Sequence, residues 1–256
     1  LGGTHLVRGS CPGSRALLRE RLTLLPKGSR SPHAQTVAGL RQTGRVRICI
    51  VYDCLYPWSI GGAERWYRIL SERLADAGHD VTYLTRRQWK PGDEPEIPGV
   101  RVIAVCEGGG LYGPSGKRRI APTLRFGAGV FAHLARYGRD YDAVHTCSFP
   151  YFSLLAAAAA QPLGRYRIAV DWFEVWTPAY WAGYLGPVGG RAGLAVQKLC
   201  LRVPQTAYCF SSRHGQRLAE QGLRTAPVPL AGLYDGPVEA PEPRDAEPFV
   251  MNAGRQ

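Results

Sequence analysis

The sequence predicts an α/β protein built on a doubly wound parallel sheet, and three observations carry that prediction. Short apolar runs rich in β-branched residues recur along the chain, such as Ile48-Cys49-Ile50-Val51 and Val81-Thr82-Tyr83-Leu84. Runs of this kind mark strands covered on both faces. Between them lie stretches with apolar residues three and four apart, the period of a helix packed along one stripe. The two patterns alternate from Arg45 to about Leu230, which implies right-handed strand–helix–strand crossovers.

The elements are justified in order. Residues 1–44 mix Gly, Ser, Pro, Thr and Arg with little periodicity and are expected to form a disordered basic tail. An Arg-rich, acid-poor start is also the composition of a transit peptide. The domain expected at 45–234 opens with a strand through Ile48, Ile50 and Val51. A helix follows, with Ala63, Trp66, Tyr67, Leu70, Leu74 and Ala77 as its apolar stripe and Gly78 as its stop. A second strand over 81–85 leads through a polar, Pro-rich loop to a third over 100–105. A glycine-rich loop then carries Lys117-Arg118-Arg119 into a helix through Leu124, Val130, Phe131 and Leu134. Further strands are predicted at 141–145, 167–170, 207–210 and 228–230, with helices at 152–160, 191–202 and 212–221. Residues 235–247, with Pro237, Pro241 and Pro243 among acids, read as a linker, and 248–256 as the first strand of a truncated second domain.

Charge and cysteine usage narrow the function classes. The 256 residues carry a formal net charge of +12. Residues 1–45 hold eight basic residues against Glu20 alone, so seven of those charges lie in and beside the tail. The folded part is therefore not expected to bind nucleic acid. The seven cysteines include no C-x-x-C pair, which argues against a zinc or redox motif and fits a reducing, cytoplasmic setting. No apolar run is long enough to span a bilayer.

In a doubly wound sheet ligands bind beyond the carboxyl ends of the strands, so the loops 53–62, 145–151 and 171–181 matter most. The first carries Gly61-Gly62 at a helix start. Glycines there let backbone N–H groups approach an anion, and the helix dipole adds partial positive charge. A glycine pair equally serves a plain tight turn. Ser59-Ile60-Gly61-Gly62 is neither G-x-G-x-x-G nor a Walker loop, which disfavours a nicotinamide-dependent enzyme.

The Pro57-containing loop, Gly61-Gly62-Ala63-Glu64 and then Gly78-His79-Asp80-Val81 together resemble the N-terminal domain of family 4 glycosyltransferases with the GT-B fold. Asp142-Ala143-Val144-His145 is similar to that family's D-x-V-H strand end. Asp171-Trp172-Phe173-Glu174-Val175-Trp176 resembles its W-H-E-V-W loop. Leu230 to Tyr234 sits where the family has an inter-domain turn, and Phe249 to Arg255 resembles the opening strand of its second domain.

The resemblance implies one Rossmann-like half of a GT-B fold, with a sugar passing from a nucleotide-sugar donor to a glycan, lipid or small-molecule acceptor. It implies retention of stereochemistry, no metal and no cofactor. The N-terminal half mainly binds acceptor, while the nucleotide belongs to a C-terminal donor domain expected to be missing here. Gly61 and Gly62 would meet the donor diphosphate. Glu174 and Asp171 would be catalytic, and His145, Trp172 and Trp176 would meet the acceptor. Plain structural roles stand beside each of these: a capping acid, a satisfied histidine, core aromatics. Lys117, Arg118 and Arg119 would draw the protein to an anionic membrane surface, or be a solvated loop. Two positions depart from the family: Phe173 replaces its usual His and Cys147 a polar group, so catalytic detail does not carry over intact. The alternative is a non-catalytic binding subunit, or an inactive fragment, that needs a separate donor-domain partner.

Overall fold

A computed structural model describes residues 44–114, 116 and 118–230. The expectations for the tail before Gly44, for Lys117, and for the linker and second-domain strand lie outside these residues. The described strands are β1 (Arg47–Val51), β2 (Asp80–Arg86), β3 (Val100–Cys106), β4 (Ala143–Cys147), β5 (Arg167–Trp172), β6 (Thr206–Cys209) and β7 (Val228–Pro229). They form one sheet in the order β3-β2-β1-β4-β5-β6-β7, with every pair parallel. The doubly wound α/β expectation is met. The order turns back on itself at β1, so a crevice opens between the carboxyl ends of β1 and β4.

The helices are α1 (Gly62–Asp76), α2 (Ile120–Tyr137), α3 (Tyr151–Gly164), α4 (Pro178–Leu201) and α5 (Ser212–Glu220). α1 buries Tyr67 and packs Trp66, Leu70 and Leu74 against Ile50, Val81 and Tyr83 on one face of the sheet. It ends as its sequence dictates. Gly78 takes φ +86°, its N–H donates to Ala75 O at 2.9 Å, and His79 N donates to Leu74 O at 3.1 Å. That pair of bonds is the Schellman stop, which satisfies carbonyls left over at a helix end. The other face is covered by α2, α3 and α4, through Phe126, Val130, Leu154, Ala157, Trp181 and Leu201. Burying one Leu such as Leu154 contributes about 1.5–3 kcal/mol.

Three elements differ from expectation. α3 runs on to Gly164, four residues past its expected end. β4 begins two residues late, because a 3-10 turn over Gly138–Asp140 takes the Tyr141 N–H, which donates to Gly138 O at 3.2 Å; Asp142 then ties the strand to β1, its N–H donating to Arg47 O and its carboxylate accepting from Arg47 N and the Arg47 guanidinium. α4 begins at Pro178 rather than near 191. Thr177 caps it, its hydroxyl accepting from Tyr180 N at 3.2 Å. Gly186 then breaks it at φ 77°, ψ 175°, and Pro187 starts the second half. The halves fold onto each other. A Cβ on Gly190 would lie 2.7 Å from Ala182 N, and one on Gly193 would lie 2.4 Å from the Trp181 ring. Gly190 and Gly193 are the small residues this close packing needs.

Candidate active site

Three strand ends meet at the crevice. Past β1, Tyr52, Asp53, Cys54 and Leu55 are all buried. Asp53 is fully buried, and a buried carboxylate needs a positive partner. Arg118, from the loop before α2, supplies it with a hydrogen-bonded ion pair to Asp53 Oδ2. Arg86, at the end of β2, donates through Nε to Asp53 O at 2.9 Å and lies 3.9 Å from Oδ2. Burial alone would lower the Arg118 pKa, but Asp53 outweighs it and holds the guanidinium above its ordinary value. Arg118 also lies over the Phe149 ring at 5.7 Å, and its N–H donates to the Tyr184 hydroxyl. The Arg118 side chain is 11% exposed, so it is turned inward rather than offered to a membrane. Arg119 is exposed.

The ends of β4 and β5 form the second part. His145, Cys147 and Asp171 project to the α1 face, with Cys147 opposite Asp171 in the register. Asp171 is fully buried, and its Oδ2 accepts from Trp66 Nε1 of α1 at 2.9 Å. His145 Nε2 lies 3.0 Å from Asp171 Oδ1, a close approach whose N–H is poorly aligned for a straight hydrogen bond. Tyr208 stacks on the imidazole at 5.8 Å and Tyr67 meets it edge-on at 6.0 Å. Burial, and then Asp171, push the Tyr67 and Tyr208 hydroxyls above the usual tyrosine range, so both stay protonated. Burial likewise raises the Cys147 thiol well above its ordinary value, so it is no nucleophile.

The remaining expected residues divide by their surroundings. Gly61 precedes α1 in extended backbone, at φ −177°, and no side chain caps the helix there. A Cβ on Gly62 would meet nothing within 4 Å, so the helix start is open on that side. Trp172 is fully buried, with Nε1 donating to Gln205 at 2.9 Å, and presents no face to a ligand. Trp176 is half-buried in an aromatic wall with Phe149, Tyr180 and Tyr184. Glu174 is exposed and accepts from Trp176 Nε1 at 2.6 Å. The two acids expected to be catalytic are thus set apart, Asp171 bonded on the α1 face and Glu174 tied to the aromatic wall. Phe173 stacks on Phe210 at 4.9 Å and meets Trp66 edge-on, which gives a ring without hydrogen-bonding groups a packing role.

Sequence reading missed Asp53, Arg86, Trp66 and Ser148. Asp53 directly follows an apolar strand, and that position was the available signal. Its Oδ1 and the Ser148 hydroxyl are buried without a hydrogen-bond partner among the described residues. In a crevice at a switch point, such atoms are suited to ligand hydroxyls.

Comparison with known proteins places this architecture. The model of the glycosyl transferase 4-like domain matches residues 61–231, about two thirds of the chain. A Klebsiella pneumoniae protein, described as an uncharacterized 42.6 kDa protein in the cps region, is 36% identical over 58 residues, which are 23% of this chain and 16% of that protein. Sucrose-phosphate synthase from Thermosynechococcus elongatus aligns with a TM-score of 0.54 at 19% identity, over 72% of this chain and 47% of that one. Anabaena HepE in complex with UDP-glucose aligns with a TM-score of 0.47 at 14% identity, over 70% and 42%. The chain therefore spans less than half the length of each of these proteins.

Proposed function

Because this chain belongs to the family of glycosyl transferase 4-like domains, with a sheet that forms one Rossmann-like half of a GT-B fold, we propose that it is the acceptor side of a glycosyltransferase. The reaction moves a sugar from a nucleotide-sugar donor to an acceptor hydroxyl. The observation that carries this reading is the group of polar side chains at the β1–β4 crevice. His145 Nε2 lies 3.0 Å from Asp171 Oδ1, and these two atoms, Asp53 Oδ1 and Ser148 Oγ are buried with no hydrogen-bond partner among the described residues.

In this reading the acceptor enters the crevice beside the Trp176–Phe149 wall. Asp53 Oδ1 accepts from one of its hydroxyls and Ser148 Oγ bonds another. His145 hydrogen-bonds the transferred sugar or the attacking hydroxyl, and Asp171 is a positioning residue that fixes the imidazole. The open start of α1 at Gly61-Gly62 faces the donor diphosphate, whose charge the helix dipole favours. Holding two reactants together in this way is worth roughly 7–11 kcal/mol of a barrier. A domain that grips the nucleotide is needed for it.

The test joins a matching donor domain after Arg255 and follows transfer of a radiolabelled sugar. Transfer that falls at least tenfold in His145→Ala and in Asp53→Asn supports the reading. Undiminished transfer in both would remove the crevice from the mechanism. A second reading, a binding subunit without turnover, is favoured by Phe173, which offers no proton or hydrogen bond where the family commonly has His. It is separated from the first by acceptor binding without transfer in the joined protein.

A further inference from the structure

One strand away from the crevice, the carboxyl ends of β2 and β3 frame a second cleft of about 600 Å³. That volume lies in the range of small-molecule sites, about 300–1,000 Å³. Its walls come from the β1–α1 loop, the segment after β2 and the segment after β3. They carry three aromatic residues, Trp58, Trp89 and Tyr112, interleaved with Arg87, Lys90 and Glu107. Trp58 is 38% exposed and Tyr112 48%, although large rings at a surface usually bury more. Arg87 Nε pairs with Glu107 Oε1 at 3.3 Å, and both side chains remain accessible.

The cleft is built on fixed backbone. The Gln88 side chain accepts from Leu55 N at 3.2 Å and donates to Thr85 Oγ1 and Arg86 O, pinning the β1–α1 loop to the end of β2. Arg86 lines the cleft, donates through Nη1 to Gly109 O at 3.1 Å, and donates through Nε to Asp53 O on its other side. One buried guanidinium thus stands between the cleft and the crevice and fixes their spacing.

The chemistry of the walls selects among ligands. A pyranose has an apolar C–H face, slightly positive, that suits the negative face of an aromatic ring. Its rim of hydroxyls suits charged donors and acceptors of both signs, as Arg87, Lys90 and Glu107 provide. A flat nucleobase is gripped best between two parallel rings, whereas Trp58 and Trp89 meet at 62° with centroids 6.0 Å apart. A strongly charged ligand wants one sign, and the cleft has two.

We propose that this cleft is a carbohydrate subsite, holding a sugar of the acceptor remote from the reacting hydroxyl, so that the acceptor is an oligosaccharide. The assignment rests on the glycosyltransferase reading given above. The 256-residue chain is applied to an array of neutral and acidic oligosaccharides, and the strongest binder is titrated by tryptophan fluorescence. Trp58→Ala and Tyr112→Ala each weaken that binding at least tenfold, while Trp58→Phe stays within about threefold of wild type. Both alanine changes are at exposed positions, and an unchanged melting temperature shows that they fold. Binding of no oligosaccharide, or affinity that survives both alanine variants, overturns the subsite. So does UMP or AMP binding that Trp58→Ala abolishes, since that would make the cleft a base site. The transfer assay of the joined protein is a separate readout: transfer with cleft-independent glycan binding rejects the subsite alone, and cleft-dependent binding without transfer rejects the transferase alone.

Discussion

At Asp171 a fully buried carboxylate takes an indole N–H from α1 and sits against an imidazole from β4. Asp171→Ala leaves the Trp66 N–H without its partner, and stability measured by urea unfolding is expected to fall by roughly 1–3 kcal/mol. Asp171→Asn keeps an acceptor for Trp66 and loses less. If Asp171 acts through His145, the double variant Asp171→Asn/His145→Ala transfers no more slowly than His145→Ala alone, and additive losses would show independent roles. Gly62 gives a cleaner probe. Open space around it means that Gly62→Val stays within about 0.5 kcal/mol of wild-type stability. Transfer by the joined enzyme is nevertheless expected to drop at least tenfold, because the added side chain stands between the helix start and the diphosphate. An unchanged rate would remove Gly62 from the donor contact.

Within the elements, the two halves of α4 make opposite predictions for glycine. Gly183 lies in a helix with nothing near its missing Cβ, so Gly183→Ala is expected to stabilise by up to about 1 kcal/mol. Gly190→Val drives a side chain into the Ala182 backbone and is expected to cost about 1–3 kcal/mol. Thermal unfolding of the two variants checks both signs. On α2, His133 Nε2 lies 2.8 Å from the Tyr141 hydroxyl, and burial, then Arg101, hold its pKa below the ordinary value. The unfolded chain binds this proton more readily than the folded one. The resulting stability is full above the ordinary pKa of about 6.5 and is lost as pH falls through the folded value. Lowering the pH from 7.5 to 5.5 should therefore shift the urea midpoint of wild type more than that of His133→Gln.

For the molecule as a whole, charge and apolar surface coincide along α2. Ile120, Leu124 and Phe131 are exposed there beside Arg119 and Arg125, and residues 108–139 contain no acid. No helix among the described residues is long and apolar enough to cross a membrane. Sedimentation with anionic vesicles is expected to show weak binding that falls as salt rises, because the Debye length is only about 8 Å at physiological ionic strength. Arg118→Ala should not weaken that binding, since this side chain is committed to Asp53; binding that ignores salt would reject the electrostatic account.

Sequence alone determined the sheet, because strand and helix carry different local periods and each is written over a short consecutive stretch. Ile48 to Val51 and the stripe from Ala63 to Ala77 are legible without any partner. The same holds for the Gly78 stop, and for the loops at the strand ends. Tertiary structure decided which side chains meet. Asp53 with Arg118, and Asp171 with Trp66 and His145, join positions 65, 105 and 26 residues apart, and no local pattern encodes that distance. It also decided burial, which sends Trp172 into the core and leaves Trp58 on a cleft wall. In the break of α4, Gly186 ends one helical half while Gly190 and Gly193 let the other pack against it. The sequence does not separate these roles, since only the facing backbone distinguishes a turn from a close approach.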